Sequence, residues 1–117
     1  MLIVLNNLTE NTYKLHLIQQ KHCNLTRFNQ SIPKKIEKNE EHVIEFCASV
    51  IFKSPSLMIA YQDQDGRLMK IDLENLIYSG PKIFLEGQGL MGIVETKGSS
   101  SDKHFFCSLV IADAIYQ

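Results

Sequence analysis

Residues 56–74 read SLMIAYQDQDGRLMKIDLE, two alternating runs that meet at Gln64-Asp65-Gly66. A hairpin with a three-residue loop at this point sends every second side chain to the same face of a sheet. One face then collects Leu57, Ile59, Tyr61, Met69, Ile71 and Leu73, and the other collects Ala60, Gln62, Lys70 and Asp72. Such a division is typical of an antiparallel sheet with one face in solvent.

The turn residues favour the three-residue loop over a shorter one. A type I turn followed by a bulge needs a left-handed residue at the third loop position, where this chain has Gly66. A two-residue loop at Asp65-Gly66 would shift the register and mix the two faces. The sequence therefore predicts a hairpin whose loop is Gln64, Asp65 and Gly66.

The rest of the chain has the same rhythm, with turn residues roughly every 8 to 12 positions. Further strands are predicted at residues 2–5, 13–19, 42–52, 82–85, 90–97 and 104–116. We expect residues 13–19 to pair with residues 2–5, with Tyr13, Leu15 and Leu17 inward. In residues 42–52, the predicted inner face is Ile44, Phe46, Ala48, Val50 and Phe52. The pattern predicts an all-β protein, a single antiparallel β-sandwich of about eight strands formed by one domain, residues 1–117.

The last predicted strand is apolar on both faces. The alternating residues are Phe105, Cys107, Leu109 and Ile111 on one face and Phe106, Val110 and Ala112 on the other. Such a strand is either central in its sheet and covered twice, or covered by another subunit. We favour a central strand, and self-association remains the alternative.

Composition excludes several classes of protein. The 117 residues are 44% hydrophobic and 21% charged. No stretch approaches the roughly 18 to 20 apolar residues of a membrane-spanning helix. Residues 1–5 are apolar but are followed by Asn6-Asn7 and lack the basic start of a signal peptide. We therefore expect neither a signal peptide nor a transmembrane segment, and a protein that is cytoplasmic or exported by a non-classical route.

The sequence contains partial matches to cofactor-binding and metal-binding motifs, and each lacks an element that the motif requires. The run from Gly87 through Gly89 to Gly92 matches a dinucleotide-binding pattern, but an alternating strand follows where a helix should begin. Asp63 to Gly66 resembles the start of a calcium loop without its closing Glu. Adjacent residues such as His22 and Cys23 point to opposite faces of a strand, so they make poor zinc ligands. We predict no catalytic residue, no metal, no cofactor and no enzymatic activity, and read the glycines as a turn or bulge.

The three cysteines are an odd number and stand at spacings that suggest no disulfide framework. Cys23, Cys47 and Cys107 each lie within an apolar run. Buried thiols in a reducing compartment are therefore the expected state of all three.

Cations are concentrated early in the chain, although the net charge is -1. Residues 1–38 contain six Lys or Arg and two Glu. A cluster near one loop could contact phosphate or anionic headgroups, and its candidates are Lys34, Lys35 and Lys38, with Arg27 and Lys21. The alternative is that these are edge-strand lysines that discourage aggregation. Nucleic acid is not expected as a partner, because the acidic remainder of the chain would repel its phosphates.

Several segments resemble the aegerolysin and actinoporin-like cytolysin group over roughly residues 2–85. They are Asn6-Asn7, residues 13–19, the Pro33-Lys-Lys-Ile36 turn before Phe46, Ile59-Ala-Tyr61, Asp65-Gly66, Ile71 and Tyr78-Ser-Gly-Pro81. The resemblance implies a small β-sandwich that binds membrane lipids, with Tyr78 as a lipid contact. This chain departs from the group in having no Trp and no N-terminal amphipathic helix. The predicted function is thus a non-enzymatic module that binds a membrane surface or lipid headgroup, and the alternative is a self-associating interaction protein.

Overall fold

The computed structural model of this protein describes residues 2–25, 32–49, 52–76, 80–97 and 106–114. Ten β-strands make up most of these residues. The strands are β1 (Leu2–Asn7), β2 (Tyr13–Lys21), β3 (Cys23–Leu25), β4 (Lys35–Ile36), β5 (Glu41–Ala48), β6 (Ser56–Gln62), β7 (Leu68–Leu76), β8 (Gly80–Gly87), β9 (Leu90–Lys97) and β10 (Phe106–Asp113).

The strands form two five-stranded sheets packed as a sandwich. The first sheet has the order β3-β5-β1-β10-β9, and the second has the order β4-β2-β6-β7-β8. The predicted all-β sandwich is confirmed, with ten strands instead of about eight because the short β3 and β4 are separate strands. The sheets are antiparallel except at β1 and β10, which run parallel from Leu2 beside Phe106 to Asn7 beside Ile111.

The hairpin of β6 and β7 has the predicted register. Tyr61 lies opposite Met69, and Leu57 lies opposite Leu73. The Asp63 amide donates to the Arg67 carbonyl at 3.0 Å, and the Gly66 amide donates to the Asp63 carbonyl at 3.1 Å. Gly66 has the left-handed φ of 80° that the three-residue loop requires. All six side chains predicted to face inward here are buried.

A single hydrophobic cluster fills the space between the sheets. The first sheet contributes Ile3, Leu5, Ile44, Phe46, Cys107, Leu109 and Ile111, among others. The second contributes Tyr13, Ile36 and the inner face of the β6–β7 hairpin. Burial of this apolar surface is the main force that holds the sheets together.

The C-terminal strand β10 lies between β1 and β9, so the prediction of a central strand is confirmed. Its inner residues Cys107, Leu109 and Ile111 are fully buried. Its outer residues Val110 and Ala112 are only half-buried. The strand is therefore central within its sheet but is not covered on its outer face by the described residues.

Two strand predictions are wrong. β2 does not pair with β1 but with β4 and β6 in the opposite sheet, because the chain crosses between sheets through residues 8–12. A register shift between Leu15 and Leu17 then turns Leu17 outward, where it is 45% exposed. The strand predicted over residues 42–52 ends at Ala48, and both Ala48 and Phe52 are exposed. Val50 lies outside the described residues.

Candidate functional site

The loops gather at two opposite ends of the sandwich. The hairpin end consists of residues 8–12, 37–40, 63–67 and 88–89. The Phe52 end consists of residues 21–22, 48–49 and 52–55, together with Leu76 and Gly80, which pair at the other extremity of β7. The nine residues of β7 separate the ends by about 25 Å, at roughly 3.3 Å per residue.

The hairpin end is cross-linked by hydrogen bonds centred on Asn7, whose side chain is fully buried. Asn7 Oδ1 accepts from the Thr9 amide at 3.0 Å and from the Thr9 hydroxyl at 2.7 Å, and Asn7 Nδ2 donates to the Asn11 carbonyl at 2.9 Å. Gln64 Nε2 donates to Asn11 Oδ1 at 2.8 Å, which ties the hairpin loop to the β1–β2 loop. These bonds order the loop because each buried polar group has a partner.

Three of the predicted anion-binding residues, Lys34, Lys35 and Lys38, lie at or beside the hairpin end. Lys35 forms an ion pair with Glu37 at 2.9 Å, and Lys38 forms one with Glu10 at 2.7 Å. The hydrogen bond and the charge of Glu37 raise the pKa of Lys35, and Lys35 in turn lowers the pKa of Glu37. Lys34 is exposed and has no ion pair with another described residue. Local carboxylates thus balance two of the three cations.

An open cavity of about 190 Å³ lies beside this lysine cluster, lined in part by Glu10, Asp63, Arg67 and Asp113. Burial would raise the pKa of Asp63, but hydrogen bonds from the Arg67 and Asp65 amides and from the Arg67 guanidinium outweigh it, so its pKa is lowered. Arg67 Nε lies 2.9 Å from Asp63 Oδ2. The predicted turn role of Asp63 to Gly66 is confirmed, since Asp63 Oδ1 accepts the Asp65 and Arg67 amides at 2.9 Å each.

The Phe52 end carries the most exposed large hydrophobic side chain among the described residues. Phe52 is 85% exposed and has a φ of 62°. A left-handed conformation is costly for a bulky residue, by about 1 to 2 kcal/mol. The chain therefore holds an aromatic ring in water in an unfavourable backbone conformation, a combination that core packing does not explain.

Three exposed lysines, Lys21, Lys53 and Lys82, lie among the described residues of the Phe52 end. Lys21 and Lys53 are exposed and have no ion pair with another described residue. Lys82 is also exposed at this end, with Nζ 5.9 Å from the centre of the Phe84 ring. Glu74 lies directly opposite Lys82 in the register of β7 and β8. The described part of the end thus combines one exposed aromatic ring with three lysines and one glutamate.

The remaining predicted site residues, Arg27 and Tyr78, lie outside the described residues. Leu76 and Gly80, which flank the segment containing Tyr78, are at the Phe52 end. Lys34, Lys35 and Lys38 therefore lie toward the end of the sandwich opposite to Leu76 and Gly80. Phe52 was missed as a site residue because it continues the alternation of residues 44–50. The signal against a strand was Lys53-Ser54-Pro55, which breaks that alternation.

The cysteine and glycine motifs have structural roles. Cys23 and Cys107 are buried as predicted, whereas the prediction is wrong for Cys47, which faces outward and is exposed. Gly89 has a φ of 72° in the turn between β8 and β9, so the predicted glycine turn is confirmed.

Among the residues that the structure describes, no three His, Cys, Asp or Glu side chains are grouped as a metal site would need. Within those same residues, no helix is long and apolar enough to cross a membrane.

Comparison by structure identifies a known fold. Neither the known protein-family models nor the curated protein sequences match this chain. The crystal structure of RahU in complex with a TRIS molecule matches 99% of this chain and 97% of its own, with a TM-score of 0.69 and 10% sequence identity. RahU is an aegerolysin-family protein. The predicted resemblance to aegerolysins is therefore confirmed at the level of the fold.

Proposed function

We propose that this protein, which has an aegerolysin-like fold, is a non-enzymatic module that binds the surface of lipid membranes with its Phe52 end. The observation that carries the proposal is the 85% exposure of Phe52 at the tip of a loop, with a φ of 62°. Backbone strain that the surrounding structure maintains is concentrated at functional sites. An aromatic side chain held in water beside cations suits the boundary between headgroups and acyl chains.

Electrostatics support the same orientation. Lys21, Lys53 and Lys82 belong to the Phe52 end, with Glu74 opposite Lys82, and each cation near an anionic membrane surface contributes about 1 kcal/mol. At the hairpin end, Glu37 and Glu10 already neutralise Lys35 and Lys38. Contact of the hairpin end with an anionic surface would therefore have to compete with these ion pairs.

The residues predicted from the sequence divide between the two orientations. Tyr78 lies next in sequence to residues of the Phe52 end, so it fits the proposed orientation. Lys34, Lys35 and Lys38 would contact headgroups only if the hairpin end faced the membrane. We favour membrane contact through the Phe52 end over contact through the hairpin end, and one experiment can distinguish them.

The experiment is co-sedimentation with phosphatidylcholine vesicles that contain or lack phosphatidylserine. Phe52→Asn removes the aromatic ring while keeping a residue that tolerates left-handed backbone. We expect vesicle affinity to fall roughly tenfold, equivalent to about 1.5 kcal/mol for a partly inserted ring. Phe84→Ser is the matched control, because Phe84 is also exposed, at 56%, but lies on a sheet face.

A second pair of variants tests the orientation by charge alone. Lys53→Glu and Lys34→Glu each reverse an exposed lysine without a described ion pair, at opposite ends of the molecule. We expect the first to weaken binding to phosphatidylserine vesicles severalfold and the second to change it little. The reverse result would place the hairpin end on the membrane. Absence of binding by the wild-type protein to every vesicle would remove the proposed function.

A further inference from the structure

The outer face of the first sheet carries apolar residues on four neighbouring strands, here called the apolar strip. Val4 lies opposite Val43, Val110 opposite Ile93, and Ala112 opposite Met91. Val43, Ile93 and Met91 are 44%, 50% and 44% exposed. Between β1 and β10 the strip is interrupted by Asn6 and Ser108, which lie beside Val110 and Val4. Single exposed apolar residues are normal, but several on neighbouring strands of one face are a common mark of an interaction surface.

Carboxylates flank this strip. On β5, Glu41 lies opposite Asn6 and Glu45 lies opposite Leu2. On β9, Glu95 lies opposite Ser108. The register also places one lysine on this face, Lys97 opposite Phe106, so its glutamates outnumber its lysines by three to one. Two copies of the face packed against each other would bring together mostly like charges, which is unfavourable.

The outer face of the second sheet has the opposite excess of charge. Its register places Lys14 directly opposite Lys35, and Lys70 beside Glu86. The five lysines of this face are Lys14, Lys21, Lys35, Lys70 and Lys82, and its three carboxylates are Asp72, Glu74 and Glu86. Lys35 is paired with Glu37, and Lys70 is paired with Asp72. Exposed apolar side chains lie among these charges, namely Leu17, Leu68 and Phe84. The face therefore offers both apolar area and a basic surround.

We propose that the acidic outer face of the first sheet docks onto the basic outer face of the second sheet of another copy of this chain. The molecule measures 42 × 28 × 20 Å, so a broad face offers about 1,200 Å² against the roughly 800 Å² per partner of a standard interface. Because the two faces differ, the contact is heterologous and joins copies in rows or rings. This contact needs no lipid and leaves Phe52 itself free, although it covers Lys21 and Lys82 of the same end.

Sedimentation equilibrium without lipid tests the contact, from micromolar to millimolar protein at low and high salt. We expect the average mass to rise past that of a dimer at low salt and to fall at high salt, because the paired charges are screened. Glu41→Lys with Glu95→Lys, the first-face variant, should lower the association constant by at least about tenfold. Lys14→Glu with Lys35→Glu, the second-face variant, should do the same.

An equal mixture of the two variants gives the decisive result. The intact second face of one variant can bind the intact first face of the other, and the two reversed faces also carry opposite charges, so we expect the mixture to recover the association that each variant alone has lost. Circular dichroism melts confirm that each variant is folded. A wild type that stays monomeric at millimolar concentration would overturn the proposal. A closed dimer that only the first-face variant disrupts would also overturn it, since the first faces of two copies would then pair with each other.

Discussion

The two ends of the sandwich solve the same problem, reversing the chain, with different residues. At the hairpin end the left-handed positions belong to Asn39, Gly66 and Gly89, which adopt that conformation at low cost. Among the described residues of the Phe52 end, apart from Gly80, they belong to His22 and Phe52. One end is built from favourable turn chemistry, and the other keeps local strain. Stability of the fold therefore accounts for the turns of the hairpin end but not for the backbone conformation of Phe52.

Thiol labelling gives the largest expected effect and reports how tightly the Phe52 end is closed. Cys47 is exposed, whereas Cys23 is buried and its Sγ donates to the Ser56 carbonyl at 3.1 Å. Burial raises the pKa of Cys23 and of Cys107. We expect a disulfide reagent to modify Cys47 at least about a hundredfold faster than the other two, measured by peptide mass spectrometry. Fast labelling of Cys23 would mean that the Phe52 end opens locally.

Removing the Asn7 side chain should cause the largest loss of stability at the hairpin end. Asn7→Ala deletes three hydrogen bonds and leaves buried partners unsatisfied, so we expect a loss of about 2 to 3 kcal/mol in urea unfolding. Asn24→Ala, at an exposed strand position, is the control and should stay within about 0.5 kcal/mol. Equal effects of both variants would contradict the role given to Asn7.

Gly66→Ala tests the favourable turn chemistry itself. A Cβ at Gly66 meets no atom within 4 Å, so the whole cost is the φ of 80°. We expect a loss of about 1 to 2 kcal/mol without a change in m-value. A neutral result would mean that the hairpin loop changes its conformation at little cost.

Acid should weaken the hairpin end through Asp63. Its pKa is lowered from an ordinary value of 3.8, so ionised Asp63 stabilises the fold above about pH 4, and this contribution is lost as pH falls through the lower folded pKa. We expect Asp63→Asn to cost about 1 kcal/mol at neutral pH and to flatten the stability profile below pH 4, followed by urea unfolding at each pH. Asp65→Asn, at a carboxylate 65% exposed, should leave the profile nearly unchanged.

Phe52→Asn should have the smallest effect and the opposite sign. Relief of the left-handed strain is expected to raise the free energy of unfolding by up to about 1 kcal/mol, seen as a slightly higher Tm. The same variant is expected to lose vesicle affinity, so stability and binding should change in opposite directions. A clear loss of stability would mean that the Phe52 ring packs against the protein in solution, and the contrast between the two ends would then fail.

Local signals predicted the parts of the fold that depend on neighbouring residues. The β6–β7 register followed from alternation and from Gly66, because turn geometry and one buried face together allow a single pairing. The pairing of β2 could not be predicted in this way. A loop of the length of residues 8–12 can join strands in one sheet or carry the chain to the other, and the bulge before Leu17 reverses the faces to which the later residues of β2 point.

The candidate site was only partly accessible to sequence reasoning. Lys35 and Lys38 were found by their proximity in the chain, but their partners include Glu10, which lies 28 residues before Lys38. Phe52 looked like one more inward residue of a long strand. Its exposure results from the end of β5 at Ala48, which depends on the strands that β5 pairs with.

Alternation and turn residues by themselves determined that this chain folds as layered β-strands, because the two-residue period of a strand is a property of consecutive residues. Only the tertiary structure decided which sheet each strand joins, that β1 and β10 run parallel, and that acidic and basic side chains lie on opposite outer faces. These features arise from pairs of residues far apart in the chain, whose contacts are selected by burial of the shared core.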